Sequence, residues 1–319
     1  MQQKINGFEV SPEHLISFLT LHFNRGSSYG TLNSYRSAIS QITKFDISQD
    51  FRLKRFFKGV YGLRPNTPKY DTIWDPSVVL NYIEQLKNET LSLQEITCKL
   101  TVLLLLSTGQ RLQTITNIEL CNIISTPDGI NIKIPKRLKT SGINKTQPNI
   151  TLPYFKEKPN LCVAQTIKTY INKTASLRGP QSNHLIITFK APYKNASSQT
   201  LSRWVKTTLK KCGIDTTVFT AYSTRHAATS AAARKGASID TIRCSAGWSS
   251  RSNMFALFYH RQIKDNNFAP LVLSSTSKFL LLFLFFCEFY IKLRMLTYQL
   301  FSLRKNNIVL ILTCWFCFV

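Results

Sequence analysis

The chain has 319 residues, enough for about two domains with real hydrophobic cores. Lys and Arg number 41 against 16 Asp and Glu, a formal charge of +25. The excess runs along the whole chain, which leaves two readings: a surface made for a polyanion, nucleic acid being the commonest, or a generally solvated basic surface. The eight cysteines form no zinc pattern and no secreted disulfide framework, and the polar N-terminus has no signal-peptide shape, so a reducing compartment is expected.

Residues 1–66 read as a small helical domain. Ser11-Pro12-Glu13 is a helix start, with Leu15, Ile16, Leu19 and Phe23 at helical spacing and Gly26 at the stop. A second helix is expected over 31–43, with Arg36 on its polar face. A third, 51–61, sets Arg52, Lys54, Arg55 and Lys58 among Phe56, Phe57 and Tyr61. Such a helix either contacts DNA or has an ordinary solvated basic face.

Residues 63–75 hold two prolines and no apolar period, and read as a linker, the domain boundary being set at 67–75. Asp75-Pro76 starts a new helix. The run 93–107 is apolar on nearly all sides, a buried helix too short to span a membrane. Gly109 ends it, and Arg111 follows: either a fixed cation at the mouth of the core or a surface arginine near a helix end.

Strands are expected at 129–134 and 150–153, closing a hairpin whose long tip carries Lys136, Arg137, Lys139 and Lys145. That tip suits a DNA groove or is a solvated loop. Helices are expected over 161–175 and over 200–211, where Leu201, Trp204, Val205 and Leu209 face inward. A short strand is expected within 182–191. The stretch 221–260 then holds Tyr222 and Arg225 before an Ala-rich segment, Trp248 in a G-W-S-S turn, and Tyr259. A permanent cation, an indole N–H and a phenol are what is needed to grip and attack a phosphodiester.

From Phe268 the composition narrows to Phe, Leu, Ile, Lys, Asn and Tyr. Neither apolar run there is a clean span. Residues 269–319 read as a non-native hydrophobic extension, the competing reading being a tail anchor. The chain also enters its first helix abruptly, which reads as a missing N-terminal helix.

Taken in order, T-G-Q-R with Arg111, L-K-T-S with Lys139, Y-S-T-R with Tyr222 and Arg225, G-W-S-S with Trp248 and F-Y-H-R with Tyr259 resemble the tyrosine recombinase (phage integrase) superfamily. Within it, the chain resembles recombinases of eukaryotic Crypton- or DIRS-type mobile elements. The likeness covers roughly residues 10–268. It implies a mainly α fold with a small antiparallel β-sheet: an N-terminal helical core-binding (SAM-like) domain, 1–66, and a catalytic domain, 76–268, clamping double-stranded DNA between them.

The resemblance further implies self-association on DNA as dimer or tetramer, a nuclear location, no cofactor and no metal. Tyr259 would be the nucleophile. Arg111, Arg225 and Trp248 would hold the phosphate, and Lys139 would protonate the 5′-oxygen leaving group. Two departures stand out: Tyr222 replaces the family's usual His, and Gln113 or Thr114 replaces an acidic residue after the first Arg. Three classes are therefore carried: an active strand-transfer enzyme, a catalytically decayed DNA-binding derivative, and a membrane protein resting on the tail alone.

Overall fold

A computed structural model describes residues 9–44, 46–138, 141–142 and 147–263. Lys139, Lys145 and the tail 269–319 lie outside the described residues, so the readings placed on them are not addressed by the fold.

The N-terminal segment forms α1 (Pro12–Asn24), α2 (Tyr29–Ser40) and α3 (Phe51–Leu63). Each start has a side-chain cap that satisfies an otherwise orphaned N–H: Ser11 accepts from His14, Ser28 from Thr31, and Asp50 from Arg52 and Leu53. Leu15, Leu19, Leu32, Ile47, Leu53, Phe57 and Val60 bury together as one core. The second helix begins and ends two to three residues earlier than periodicity indicated, because the Ser28 cap, not the apolar stripe, sets its start.

A second core is built round α5 (Leu93–Thr108), which follows α4 (Pro76–Glu84). Ser92 and Glu95 close a reciprocal capping box at its start, and its interior is buried on every side. Buried Lys99 donates its ammonium to the Leu86 carbonyl, and burial pulls its pKa down to about 8. Helix α5 packs on α7 (Val163–Thr174), α8 (Ser198–Lys211) and α9 (Ser223–Arg234), with α6 (Leu112–Thr116) at its C-terminal end and α10 (Ile239–Ala246) against α9.

Strands β3 (Gly129–Lys133) and β4 (Asn149–Pro153) pair antiparallel, Ile130 opposite Leu152 and Ile132 opposite Ile150. Their partner β2 (Ile123–Thr126) pairs with β3 on its other edge. The run I-I-S-T lacks alternation, so it carried no strand signal. A separate two-stranded parallel pair joins β1 (Thr72–Ile73) to β5 (Gln262–Ile263).

Two readings need correction. The stretch 182–191 is not a strand; it makes only isolated bridges, Glu119 with His184 and Ile187 with Asn195. Arg178 takes up its carbonyls instead, donating to those of Ser182, His184 and Leu185. The stretch 63–75 is not wholly a linker either: Tyr70, Ile73 and Trp74 are buried in the second core. Trp204 is half-buried, its ring tilted 34° against that of Phe189 at 4.8 Å.

Candidate active site

The site begins where α5 ends. Gly109 takes a left-handed conformation, φ 60°, and its N–H closes on the Leu105 carbonyl. A Cβ there would meet Thr229 Cγ2 at 3.2 Å, so backbone and side chain pack closely. Gln110, buried, donates to the Ser245 carbonyl at 2.6 Å, and Ser245 Oγ donates back to the Thr108 carbonyl at 3.1 Å. This ties the α5 terminus to the end of α10. Arg111, half-exposed, then takes the N-cap position of α6 without a side-chain capping bond.

Helix α9 brings in the second cation. Its first turn is anchored from outside: the Trp74 indole N–H donates to Ser223 Oγ at 2.8 Å. Two residues on, Arg225 is 1 % exposed. Its Nη1 donates to the carbonyls of Gly109 and Ala246 at 2.6 and 2.7 Å. Both carbonyls close helix ends, whose partial negative charge suits a cation. The other edge, Nε and Nη2, is buried with no partner in hydrogen-bond geometry. Burial first, then Arg111, lowers the Arg225 pKa to about 10; the nearby Tyr259 oxygen offsets part of this. The group is still fully charged at neutral pH.

Gly247, φ 68°, ends α10 and turns Trp248 into the site, where the Arg225 guanidinium lies 4.1 Å from the centre of its ring. Tyr259 closes a π-helical turn, Phe255–Tyr259. Ser230 Oγ on α9 donates to the Tyr259 carbonyl at 2.6 Å and accepts from the Arg261 N–H at 3.0 Å, pinning the turn down. The Tyr259 ring is 5 % exposed, edge-on to Trp248 at 4.7 Å and 5.4 Å from Arg225. Its hydroxyl is hydrogen-bonded to that of Tyr222. Burial, then that bond, pushes the Tyr222 pKa up to about 12.

Four of the residues picked from sequence thus converge: Tyr222, Arg225, Trp248 and Tyr259. Arg111 belongs with them, since its charge acts on both Tyr222 and Arg225. Reading the sequence missed Gln110, Ser223, Ser230 and His226. The last carried a signal, an imidazole immediately after Arg225 in the same motif. Among the described residues, no group of three His, Cys, Asp or Glu side chains is placed to hold a metal ion.

The residues singled out for nucleic acid fare unevenly. Arg55, Lys58 and Arg137 are exposed. Lys54 is exposed but donates to Gln49. Arg52 is clasped by Asp50 and Glu13, and Arg36 lies over Phe57 at 4.9 Å. Lys136 pairs with Glu119 at 2.7 Å and contacts His184 Nε2 at 3.1 Å. These three cations are therefore spent at least partly on the protein itself.

The model of the phage integrase family matches residues 77–264. Among solved structures, an XerH site-specific recombinase bound to palindromic difH substrate, in a post-cleavage complex, is 14 % identical at TM-score 0.54, covering 83 % of this chain and 72 % of that one. The corresponding pre-cleavage complex is 12 % identical at TM-score 0.50, covering 82 % and 70 %. No curated protein sequence matches. The XerH likeness lies in the mainly helical fold with its small antiparallel sheet.

Proposed function

Because the chain belongs to the phage integrase (tyrosine recombinase) family, we propose that it cleaves and rejoins DNA strands through a covalent bond between Tyr259 and a 3′-phosphate. The observation that carries this is the unpartnered Nε/Nη2 edge of Arg225, buried beside the Tyr259 ring. A guanidinium edge is a planar two-donor fork matched to two oxygens of a phosphate. Leaving buried donors unpaired costs roughly 1–3 kcal/mol each, a cost that an entering phosphodiester removes.

Arg111 and Arg225 would hold the non-bridging oxygens and stabilise the charge that builds on them in the transition state. Trp248 has an indole N–H to add. Tyr259 Oη gives its proton up to solvent water and attacks phosphorus, forming the phosphotyrosyl bond; the P–O5′ bond breaks, and the 5′-oxygen leaves with a proton from Lys139 as general acid. The reverse attack by a 5′-hydroxyl rejoins the strand. The energy of the phosphodiester is kept in the phosphotyrosyl bond, so the step needs no nucleotide cofactor. Tyr222, neutral at working pH, holds the Tyr259 oxygen by a hydrogen bond and is no base.

The XerH structures hold a difH substrate, and we carry double-stranded DNA to this chain as its partner on that likeness and on the +25 charge. Exchange between two duplexes needs four strand cuts. With one nucleophile per chain, this calls for self-association on DNA. The sequence resemblance to Crypton- and DIRS-type recombinases supports a mobile-element enzyme acting in the nucleus.

The test is covalent capture. A pool of nicked duplexes of randomised sequence is incubated with the protein, and adducts surviving denaturation are collected. Wild-type chain should yield adducts; Tyr259→Phe should bind DNA equally and yield none. Adducts persisting in Tyr259→Phe would reassign the nucleophile. DNA binding without adducts in the wild type would point instead to a decayed, DNA-binding derivative, a reading that the Tyr222 replacement favours.

A further inference from the structure

We propose that His226 is a positioning residue that fixes the ring plane of the Tyr259 nucleophile by lying face-to-face against it. This rests on the reading of Tyr259 as nucleophile. The two rings are 4.2 Å apart between centroids and only 17° from parallel. His226 is itself fixed: it is 2 % exposed, the Tyr70 ring meets it edge-on at 5.0 Å and 90°, and Tyr222 meets it at 5.4 Å and 73°. The imidazole therefore sits among three phenols, and only one of them is stacked on its face.

Neither ring nitrogen has a hydrogen-bond partner. A buried polar atom left unpaired is a cost that a purely structural position does not need, since an aliphatic side chain would fill the space without it. What distinguishes imidazole from an aliphatic group is the flat face. A phenol turning about its Cβ–Cγ bond sweeps its hydroxyl little but its ring edges widely; a parallel neighbour at van der Waals distance stops that sweep and holds the ring in the plane from which the oxygen meets phosphorus. Reaction rates fall steeply when a nucleophile is misplaced by about an ångström.

The platform works as a neutral ring. The groups facing it are Tyr222 just before α9 and Arg225 on it, Lys69 and Tyr70 ahead of β1, Tyr259 at the end of the π-helical turn and Arg261 beyond it. Three are cations and none is an anion. Burial first, then Arg225, Arg261 and Lys69, hold the imidazole pKa at about 4. His226 is accordingly uncharged throughout the working range and contributes no titrating limb to the reaction.

Two readouts on the full chain test this. The first places 3-fluorotyrosine at 259 and follows its fluorine resonance, which needs no activity. Stacking predicts two slowly exchanging ring orientations, shifted by the imidazole ring current. His226→Ala should merge them into one fast-flipping line, and His226→Phe, which restores a flat face, should keep them separate.

The second readout is the adduct-forming rate on nicked DNA. His226→Ala should lower it about 10- to 100-fold at unchanged DNA affinity. His226→Phe should restore most of it, with the same pH profile as wild type and a melting temperature no lower. A His226→Ala resonance identical to wild type overturns the proposal, as does a His226→Phe protein that keeps the slow flips yet cleaves as poorly as the Ala variant, which would assign the work to the nitrogens. Should fluorine behave as expected while no variant forms adducts, the catalytic reading of Tyr259 fails and the platform stands as a fold feature.

Discussion

At the scale of single residues, the most informative position is Tyr222, three residues before Arg225 in the Y-S-T-R motif. The phenol there is hydrogen-bonded to the Tyr259 hydroxyl, and its pKa is pushed up to about 12, chiefly by burial. A neutral phenol with so high a pKa can orient its partner but cannot take its proton near pH 7. Tyr222→His should therefore raise the single-turnover cleavage rate, by about 10²-fold, the low end for acid–base assistance, and leave DNA affinity unchanged. The sign with pH follows from the base being the neutral form: the gain is absent well below the ordinary histidine pKa, near 6.5, and grows as pH rises through it. Equal rates for both proteins from pH 6 to 9 would mean that residue 222 only shapes the pocket.

At the scale of elements, the site hangs on how two helices end. Helix α5 stops at Gly109, α10 stops at Gly247, and the carbonyls of Gly109 and Ala246 both accept from Arg225. A helix end is a fixed backbone feature, so the cation between two of them is aimed by backbone rather than by a flexible loop. Gly109→Ala tests the arrangement. The left-handed φ costs an alanine about 1 kcal/mol, and its Cβ would press on Thr229 at 3.2 Å. We expect a loss of roughly 1–3 kcal/mol in unfolding free energy, measured by urea titration. The cleavage rate should fall more steeply than stability accounts for, because Arg111 and the Gly109 carbonyl move together. Full activity in a destabilised Gly109→Ala protein would separate the turn from the chemistry.

At the scale of the whole molecule, the excess of positive charge has two destinations. Arg52, Arg36 and Lys136 are engaged within the protein, whereas Arg55, Lys58 and Arg137 face solvent. Affinity for duplex DNA should fall with salt at a log–log slope of about −0.9 per phosphate contacted. Replacing Arg55 and Lys58 by Gln should flatten that slope by up to about 2, and Arg52→Gln should flatten it much less while loosening α1 from α3. An Arg52→Gln effect equal to that of Arg55 and Lys58 together would show that its ion pairs open on binding.

The parts legible in sequence were those set by local chemistry: the caps at Ser11 and Asp75, the all-round apolar run that became α5, the alternation that became β3 and β4, and the order of Arg111, Arg225, Trp248 and Tyr259. Each depends on a residue and its near neighbours, so periodicity and cap chemistry suffice to find it. Tertiary structure alone decided that Tyr70 and Trp74 belong to the core, that Arg52 is clasped by carboxylates, and that His226 lies flat on Tyr259. Those facts depend on segments far apart in sequence, as in the bond from Trp74 to Ser223, 149 residues away. No local pattern encodes which side chain meets which across such a distance; packing at the density of a protein interior does.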